Sequence, residues 1–462
     1  MGDMIRQIGA SAKITEQNLL EALQSSVPRD AVDRIVQKHN LARQRQRKLS
    51  AQMGFFLVIA MNLFSTLSLA QVLIKLLRGF RFIWPEAGLI PASKGAISQL
   101  RYEIGAKPVV ELFHQICQPM ATPDTPGAFL FGLRLMALDG SDETLADTPA
   151  NDKAFGRHTS GRGAAGYPQL QGMYLEEVGA HAIVDAGFWP LHTGAYKGAL
   201  RLLRSVGEGM LVMWDCGLHS FEMVKQTLAR EAHFLGRLPA GVKLVPVSNL
   251  PDGSQLANLV RRDHNAHIRE RIRVRLIEYT VTDPALQDCG KRRRLITSLL
   301  DWQRCPALEL AQAYHERWEI EITIDELATH QRLAFHPLRS QRPVGVIQEL
   351  YGLLIAHYAV RKVMLDAAQQ AGLDPDRISF TNALRLIGDV LPEFQQTTPV
   401  QHPALYQQLL EDVARFRLPP RKPRINPRVV KKKMSNFDKK RQEHYHVPQP
   451  KSSFVDAIAI LI

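Results

Sequence analysis

Asp139 closes the apolar run "AFLFGLRLMALDG" and Asp215 closes "GMLVMWDCG", each with a glycine turn directly after it. Loops at the carboxyl ends of strands are where open α/β sheets hold their sites, so two acids in matching contexts invite a metal. The bland reading of either one is an ordinary Asp-Gly turn. A third acid, Glu321, lies within "YHERWEIEITIDELATHQR", residues 314–332. On a helix Tyr314, Arg317, Glu321 and Ile324 project from one face. An i,i+4 salt bridge on a solvated face would account for Arg317 and Glu321, but Trp318, Ile320, Ile322 and Ile324 surround the glutamate with bulky apolar groups. A partly buried carboxylate needs a cation. Mg²⁺ suits this set, because it takes hard oxygen ligands completed by water and phosphate oxygens. Two such ions about 3.5 to 4 Å apart can clamp a phosphodiester between its attacking and leaving oxygens.

The elements that must position these acids follow from the texture of the chain. Residues 1–125 read as an all-helical N-terminal domain and a candidate for DNA binding, with "QKHNLARQRQRK" as a basic helix face. The apolar stretch 53–77 is long enough to span a bilayer. Asn62, Ser65, Ser68 and Gln71 instead give it a polar stripe that suits a core helix, and no membrane role is expected. After the linker "MATPDTPG", residues 126–235 run strand, strand, strand, helix, strand, helix, strand, with a hairpin signal at Gly179 between "LQGMYLEEV" and "AHAIVDAGF". Residues 236–310 hold short arginine-studded β runs such as "RIRVRLIEYTV", read as a β-rich insertion rather than a continuation of the sheet. Residues 311–415 return to helix. Residues 416–462 form a basic C-terminal arm, in which "RKPRINPRVVKKKMSNFDKKR" sets ten Lys or Arg against one Asp and reads as loosely attached chain.

At 462 residues, two or three domains are the prior. A net charge of +13 selects a polyanionic partner and places nucleic acid ahead of an anionic membrane surface. Cys117, Cys216, Cys289 and Cys305 stand far apart with no Cys-x-x-Cys pair, which argues against a zinc knuckle or a disulfide framework and for a reduced cytosolic compartment.

Taken together, "LDGSDETLADTPAN", "WDCGLHS" and "YHERWEIE" resemble the DDE transposases of bacterial insertion sequences, in the insertion-sequence-four branch, whose helix reads Tyr-x2-Arg-x3-Glu-x6-Lys. The resemblance spans roughly residues 130 to 365 and includes "HPLRSQRPVGVIQELYGLLIAHYAVR". It implies an α/β fold with a ribonuclease H-like catalytic core, a β-rich insertion before the last acid, a helical N-terminal domain, and trailing helices with a basic arm. It also implies Asp139, Asp215 and Glu321 as catalytic ligands of Mg²⁺, with Mn²⁺ able to substitute. Tyr314, Arg317 and Arg332 would contact DNA phosphates, and Arg421, Lys422, Arg424, Arg428, Lys431, Lys432 and Lys433 would form the DNA-binding arm. The implied partners are double-stranded DNA, both the element's inverted-repeat ends and the target, and a second copy in a homodimeric synaptic complex.

Cys216 stands where the family's second motif has arginine, Ala328 where the helix motif has lysine, and Asp325 is acidic where the family is basic. These departures keep two alternatives open beside a transposase: a ribonuclease H-like nuclease that cuts without joining, and a catalytically weakened DNA-binding remnant. His330, Arg332 or an arm residue would be the substitute cation.

Overall fold

The computed structural model describes residues 27–41, 49–79, 92–160, 163–285, 289–332, 336–394, 397, 399–419, 429–430, 438–439 and 450–461. Among the described residues five helices come first: α1 (Arg29–Lys38), α2 (Ala51–Leu63), α3 (Leu69–Gly79), α4 (Lys94–Ile104) and α5 (Lys107–Ile116). Then follow β1 (Phe129–Leu130), β2 (Leu133–Thr144), α6 (Pro149–Phe155), β3 (Thr159–Ser160), β4 (Gly163–Ala164), β5 (Gln169–Glu177), β6 (Ala182–Pro190), α7 (Ala195–Leu202), β7 (Met210–Trp214), α8 (Phe221–Leu228) and β8 (His233–Arg237). Next are β9 (Val245–Asn249), β10 (Gln255–Arg262), β11 (Ile268–Val281), β12 (Arg293–Thr297), α9 (Ala307–Ala313) and α10 (Glu319–Asp325). The chain ends with α11 (Pro343–Ala371), α12 (Phe380–Phe394), α13 (His402–Arg415), β13 (Val429–Val430), β14 (Asp438–Lys439) and β15 (Ile458–Ile460).

The chain divides into two units. A helix-rich unit takes residues 1–128, 139–205 and 319–418, and a strand-rich unit takes 129–138, 206–318 and 419–462. Strand β2 gives its first half to the second unit and its last half, from Asp139, to the first.

In the helix-rich unit α2, α4 and α5 pack on α11, and α1 and α3 pack on these helices. Gly352 makes this packing possible, since a Cβ there would lie 2.5 Å from the Val58 carbonyl. Arg101 Nη2 donates to Ser340 Oγ at 2.9 Å and to the Gly345 carbonyl at 3.0 Å. The stretch 53–77 is two helices, not one. Ser68 and Gln71 form a reciprocal capping pair, with Ser68 N donating to Gln71 Oε1 at 2.9 Å and Gln71 N to Ser68 Oγ at 3.4 Å, and this pair starts α3 afresh. The polar residues thus mark a helix boundary, and among the described residues no helix is long and apolar enough to cross a membrane.

In the strand-rich unit β2, β7 and β8 run parallel, and β12, β11, β10 and β9 continue from β8 by antiparallel pairing. The β-rich insertion therefore extends the sheet, contrary to the reading of residues 236–310 as separate from it. Its arginine did not prevent this, because on β11 Arg269, Arg271 and Arg273 alternate outward while Val274, Leu276 and Ile277 are buried. The expected C-terminal arm is likewise revised at its far end. Residues 458–460 add a strand to β11, and Asp283 Oδ2 accepts from Lys451 N at 2.8 Å and Ser452 N at 3.1 Å. Mixed α/β structure, with the expected order β2, β5, β6, α7, β7, α8, β8, is the ribonuclease H-like arrangement the motifs implied.

Candidate active site

Strands β2 and β7 carry the first two acids. Their parallel register pairs Leu138 with Trp214, and the next residue in the chain after each is an aspartate, Asp139 and Asp215. The strands are apolar because they are buried on both faces, and Leu135 through Leu138 and Leu211 through Trp214 are all buried. Burial ends where the acids begin, since Asp139 and Asp215 are half-buried. Backbone amides orient both carboxylates: Asp139 Oδ1 accepts from Gly140 N at 2.8 Å, and Asp215 Oδ1 from Gly217 N at 2.9 Å and Leu218 N at 3.2 Å. Burial and the Asp215 charge raise the Cys216 thiol against the pull of Arg237, so it stays protonated at neutral pH and offers no soft thiolate beside the acids. An all-oxygen donor set fits Mg²⁺ or Mn²⁺.

The third acid sits on a less regular element than its sequence suggests. Residues 314–331 are not one α-helix: Tyr314–Trp318 is a 3₁₀ turn, α10 covers Glu319–Asp325, and Glu326–Gln331 is a π-helical segment. Glu321 is half-buried on α10. Tyr314 and Arg332, both expected to contact phosphate, hold partners within the protein. Tyr314 is buried, and its hydroxyl donates to the Trp214 carbonyl at 3.1 Å, so it braces the strand end that leads into Asp215. Burial holds its phenol well above the usual range. Arg332 Nη1 pairs with Glu143 Oε2, on the strand of Asp139, and Nη2 donates to the His336 carbonyl at 3.3 Å. Glu143 Oε1 in turn accepts from Tyr174 Oη at 3.1 Å and Ser141 Oγ at 2.9 Å. Arg317 remains half-exposed, with its guanidinium 5.9 Å from the Tyr314 ring centre. Ala328 falls in the π segment, half-exposed, and Cys216 is half-buried. The seven arm residues from Arg421 to Lys433 lie outside the described residues.

Sequence reasoning missed the face of α10 opposite Glu321. Glu319, Thr323 and Glu326 are buried there. Thr323 Oγ1 donates to Glu176 Oε1 at 2.6 Å, and Glu326 Oε2 accepts from Arg361 Nε at 3.0 Å and lies 3.0 Å from His357 Nε2. Burial works against the Glu326 carboxylate, yet Arg361 and His357 hold it down to about 2. The signals were present in the sequence: Glu176 and Glu177 inside an apolar strand, and His357 and Arg361 four apart on an apolar helix. A buried charge on an apolar face requires a partner.

Known proteins agree with the motifs. Residues 17–114 match the family model of the insertion element 4 transposase N-terminal region, and residues 132–359 match the transposase DDE domain. The chain is 29% identical over 428 residues to the transposase InsG for insertion sequence element IS4 of Escherichia coli (strain K12), covering 90% of this chain and 93% of that one. It is 26% identical over 140 residues to the putative transposase InsZ of the same organism, covering 30% of this chain and 47% of that one. A cryo-EM structure of a piggyBac transposase synaptic complex with hairpin DNA overlaps 88% of this chain and 87% of its own at 14% identity, with a TM-score of 0.43. With both family regions in order along the chain and an aspartate directly after each member of the Leu138–Trp214 pair, this protein belongs to the DDE transposases of the insertion-sequence-four family and is a DNA transposase.

Proposed function

We propose that this transposase binds the inverted-repeat ends of its own element, hydrolyses a phosphodiester there, and joins the freed end to target DNA, with Asp139, Asp215 and Glu321 as the ligands of Mg²⁺. The observation that carries the reading is the register that pairs Leu138 with Trp214, each followed directly by an aspartate. When bound, divalent ions supply charge stabilisation at the phosphoryl oxygens and lower the pKa of the attacking water. The protein's own groups orient and hold. The amides of Gly140, Gly217 and Leu218 fix one oxygen of each aspartate, which reduces the reorganisation needed to present the other. Tyr314 fixes the carbonyl just before Asp215. Arg317 supplies a planar cation suited to bidentate contact with a phosphate.

In the first step a water oxygen bonds to phosphorus, and the 3′ oxygen leaves as a hydroxyl. In the second, that hydroxyl attacks a target phosphodiester and displaces another 3′ hydroxyl, so the number of phosphodiester bonds is conserved. A homodimer that brings two ends together completes the reading. Arg421, Lys422, Arg424, Arg428, Lys431, Lys432 and Lys433 add phosphate contacts from the arm.

The test uses full-length protein and duplexes taken from the DNA that flanks the reading frame. Asp139→Ala, Asp215→Ala and Glu321→Ala each abolish cleavage and joining while end binding by gel shift is retained, and the three losses do not add. A Glu321→Ala enzyme that cuts at the normal rate removes Glu321 from the site. Cleavage without joining by the unaltered protein would instead favour the simple nuclease.

A further inference from the structure

On the face of α10 opposite Glu321, one imidazole touches three elements. His181 Nε2 lies 2.7 Å from Asp376 Oδ1 and 3.1 Å from Glu319 Oε2, and Nδ1 lies 3.0 Å from Thr323 Oγ1. Glu319 and Thr323 are four residues apart, so the ring spans one full turn of the helix. His181 is 1% exposed. It also ends the β5–β6 turn with φ 52° and ψ 36°, a left-handed conformation in which a residue other than glycine is strained. The hairpin's glycine is used elsewhere: a Cβ on Gly179 would meet Ala128 Cα at 2.5 Å, so close packing claims it. The left-handed position is thus occupied by the residue whose side chain reaches α10, and strain held at one such position is what a positional role requires.

We propose that His181 is a positioning residue for Glu321, its imidazole pinning Glu319 and Thr323 so that the rotation of α10 about its axis is fixed with Glu321 facing away. The proposal rests on the reading of Glu321 as a metal ligand. α10 needs such a pin, because it is seven residues long, enters from a 3₁₀ turn and runs into a π segment. Its own backbone does little to fix its rotation.

The groups around the ring come from every neighbouring element: Glu176 from β5, Glu319 and Thr323 from α10, Glu326 from the π segment, His357 and Arg361 from α11, and Asp374 and Asp376 from the turn after it. Burial and Arg361 push the imidazole toward neutrality, while Asp376 and Glu319 push it the other way and prevail, to about 10. Nε2 donates to Asp376 Oδ1 with the Glu319 carboxylate paired beside it, Nδ1 lies within reach of both Thr323 Oγ1 and Arg361 Nη2, and the Thr323 hydroxyl donates to Glu176. His181, Glu319 and Asp376 also have the donor types of a metal site. A proton on Nε2 accounts for the Asp376 and Glu319 distances without a dication.

The test compares His181→Asn, which tolerates the left-handed turn and keeps one donor, with His181→Gly, which relieves the turn and keeps none. Thr323→Val, nearly equal in volume, checks the same hydrogen bond from the helix side. Each full-length variant is measured for end binding, single-turnover cleavage across a Mg²⁺ and Mn²⁺ titration, and metal content as purified. Expected are end binding within about twofold and cleavage at low metal reduced on the order of 10- to 100-fold, the scale of a small misplacement of a catalytic group. The half-saturating metal concentration rises, and Asn recovers more than Gly at high metal. A purely structural loss lowers the active fraction at every metal concentration without moving half-saturation, and that result overturns the proposal. So does a stoichiometric metal in the purified protein that His181→Asn removes. Glu321→Ala is run alongside: if it cuts normally, the reading of Glu321 has failed, whereas if it is dead and the His181 and Thr323 variants keep the normal half-saturation, this inference alone has failed.

Discussion

His181 in the helix-rich unit and His219 and His315 in the strand-rich unit lie in opposite electrostatic surroundings. In the helix-rich unit His181 lies among carboxylates and is held charged, its proton affinity raised to about 10. In the strand-rich unit His219 and His315 are half-buried with arginines for company, and desolvation first, then the charges of Arg294 for one and Arg293, Arg317 and Arg237 for the other, lowers them to about 4 and about 3. His181 thus sits in an anionic cluster, and His219 and His315 in cationic surroundings. A protein that must grip a polyanion gains from cationic surroundings in its strand-rich unit.

The contrast between the units is most severely strained by removing one partner of a buried pair. Arg361→Leu strands Glu326, whose Oε1 and Oε2 both accept from that guanidinium. Breaking such a pair costs about 3 to 5 kcal/mol. In the strand-rich unit Arg271 is exposed on β11, and Arg271→Ala stays within about 0.5 kcal/mol. Urea unfolding of both variants tests the contrast, and a small effect of Arg361→Leu would show that Glu326 finds another cation.

The second prediction separates the units by pH. His219 and His315 have folded values below the free imidazole's, so the unfolded chain takes up protons first, and their contribution is lost as pH falls from about 6.5 toward 4 and 3. His181 has a raised folded value, so its contribution is complete below about 6.5 and is lost as pH climbs through about 10. Glu176, buried and raised to about 8, is penalised increasingly over the same rise. Acid therefore acts on the strand-rich unit through His219 and His315 and on the helix-rich unit through His357 and His114, which burial also lowers, whereas alkali acts on the helix-rich unit through His181 and Glu176. Hydrogen exchange by segment at about pH 5 and about pH 9.5, either side of the free imidazole's range and corrected for intrinsic exchange rates, reads both ends. His315→Phe removes part of the acid response only, and equal protection loss in both units at the alkaline end would erase the distinction.

How much of this is legible from the chain alone depends on whether the controlling interactions are local. The apolar runs leading into Asp139 and Asp215 reveal the buried strands β2 and β7, because burial on both faces of a strand leaves a visible signature. The break between α2 and α3 is also written locally, in the capping pair Ser68 and Gln71, but its spacing imitates a polar stripe. The roles of Tyr314 and Arg332 are not legible. Each depends on one distant partner, the Trp214 carbonyl and Glu143, 100 and 189 residues away, which no spacing rule supplies. The π segment after Asp325 has the composition of an ordinary helix, and its register is set by Glu326 reaching Arg361.

A third prediction concerns the arginine row of the strand-rich unit. Arg269, Arg271 and Arg273 share one face of β11 by strand alternation and are exposed, while the next in the row, Arg275, is buried against Asp252, Ser254 and the Cys305 carbonyl. Arg271→Ala with Arg273→Ala lowers the dependence of log affinity on log salt by up to about 0.9 for each phosphate that is no longer neutralised. Removing the arm residues Lys431, Lys432 and Lys433 lowers the same slope independently. An unaltered slope in both cases would place the strand-rich unit's positive charge away from DNA.

The smallest effect belongs to position 328, where the family helix has lysine and this chain has alanine. On a continuous α-helix a side chain seven residues past Glu321 would continue its stripe, but residues 326–331 turn with i→i+5 bonding, so each successive side chain lags by part of a residue. The stripe consequently passes between Ala328, half-exposed, and Thr329, whose hydroxyl donates to Asp325 Oδ1 at 2.7 Å. A charged hydrogen bond to phosphate contributes about 1.5 to 3 kcal/mol when well aimed. Lysine at either position is displaced by part of a residue and partly solvated, so it recovers less. Ala328→Lys and Thr329→Lys are each expected to raise cleavage by a few-fold, with end binding rising in parallel and the metal requirement unchanged. Unequal gains would report which residue the π segment turns toward the DNA. A fall in cleavage for both would mean that another cation, with Arg317 the first to test, already occupies the phosphate that lysine serves in the family.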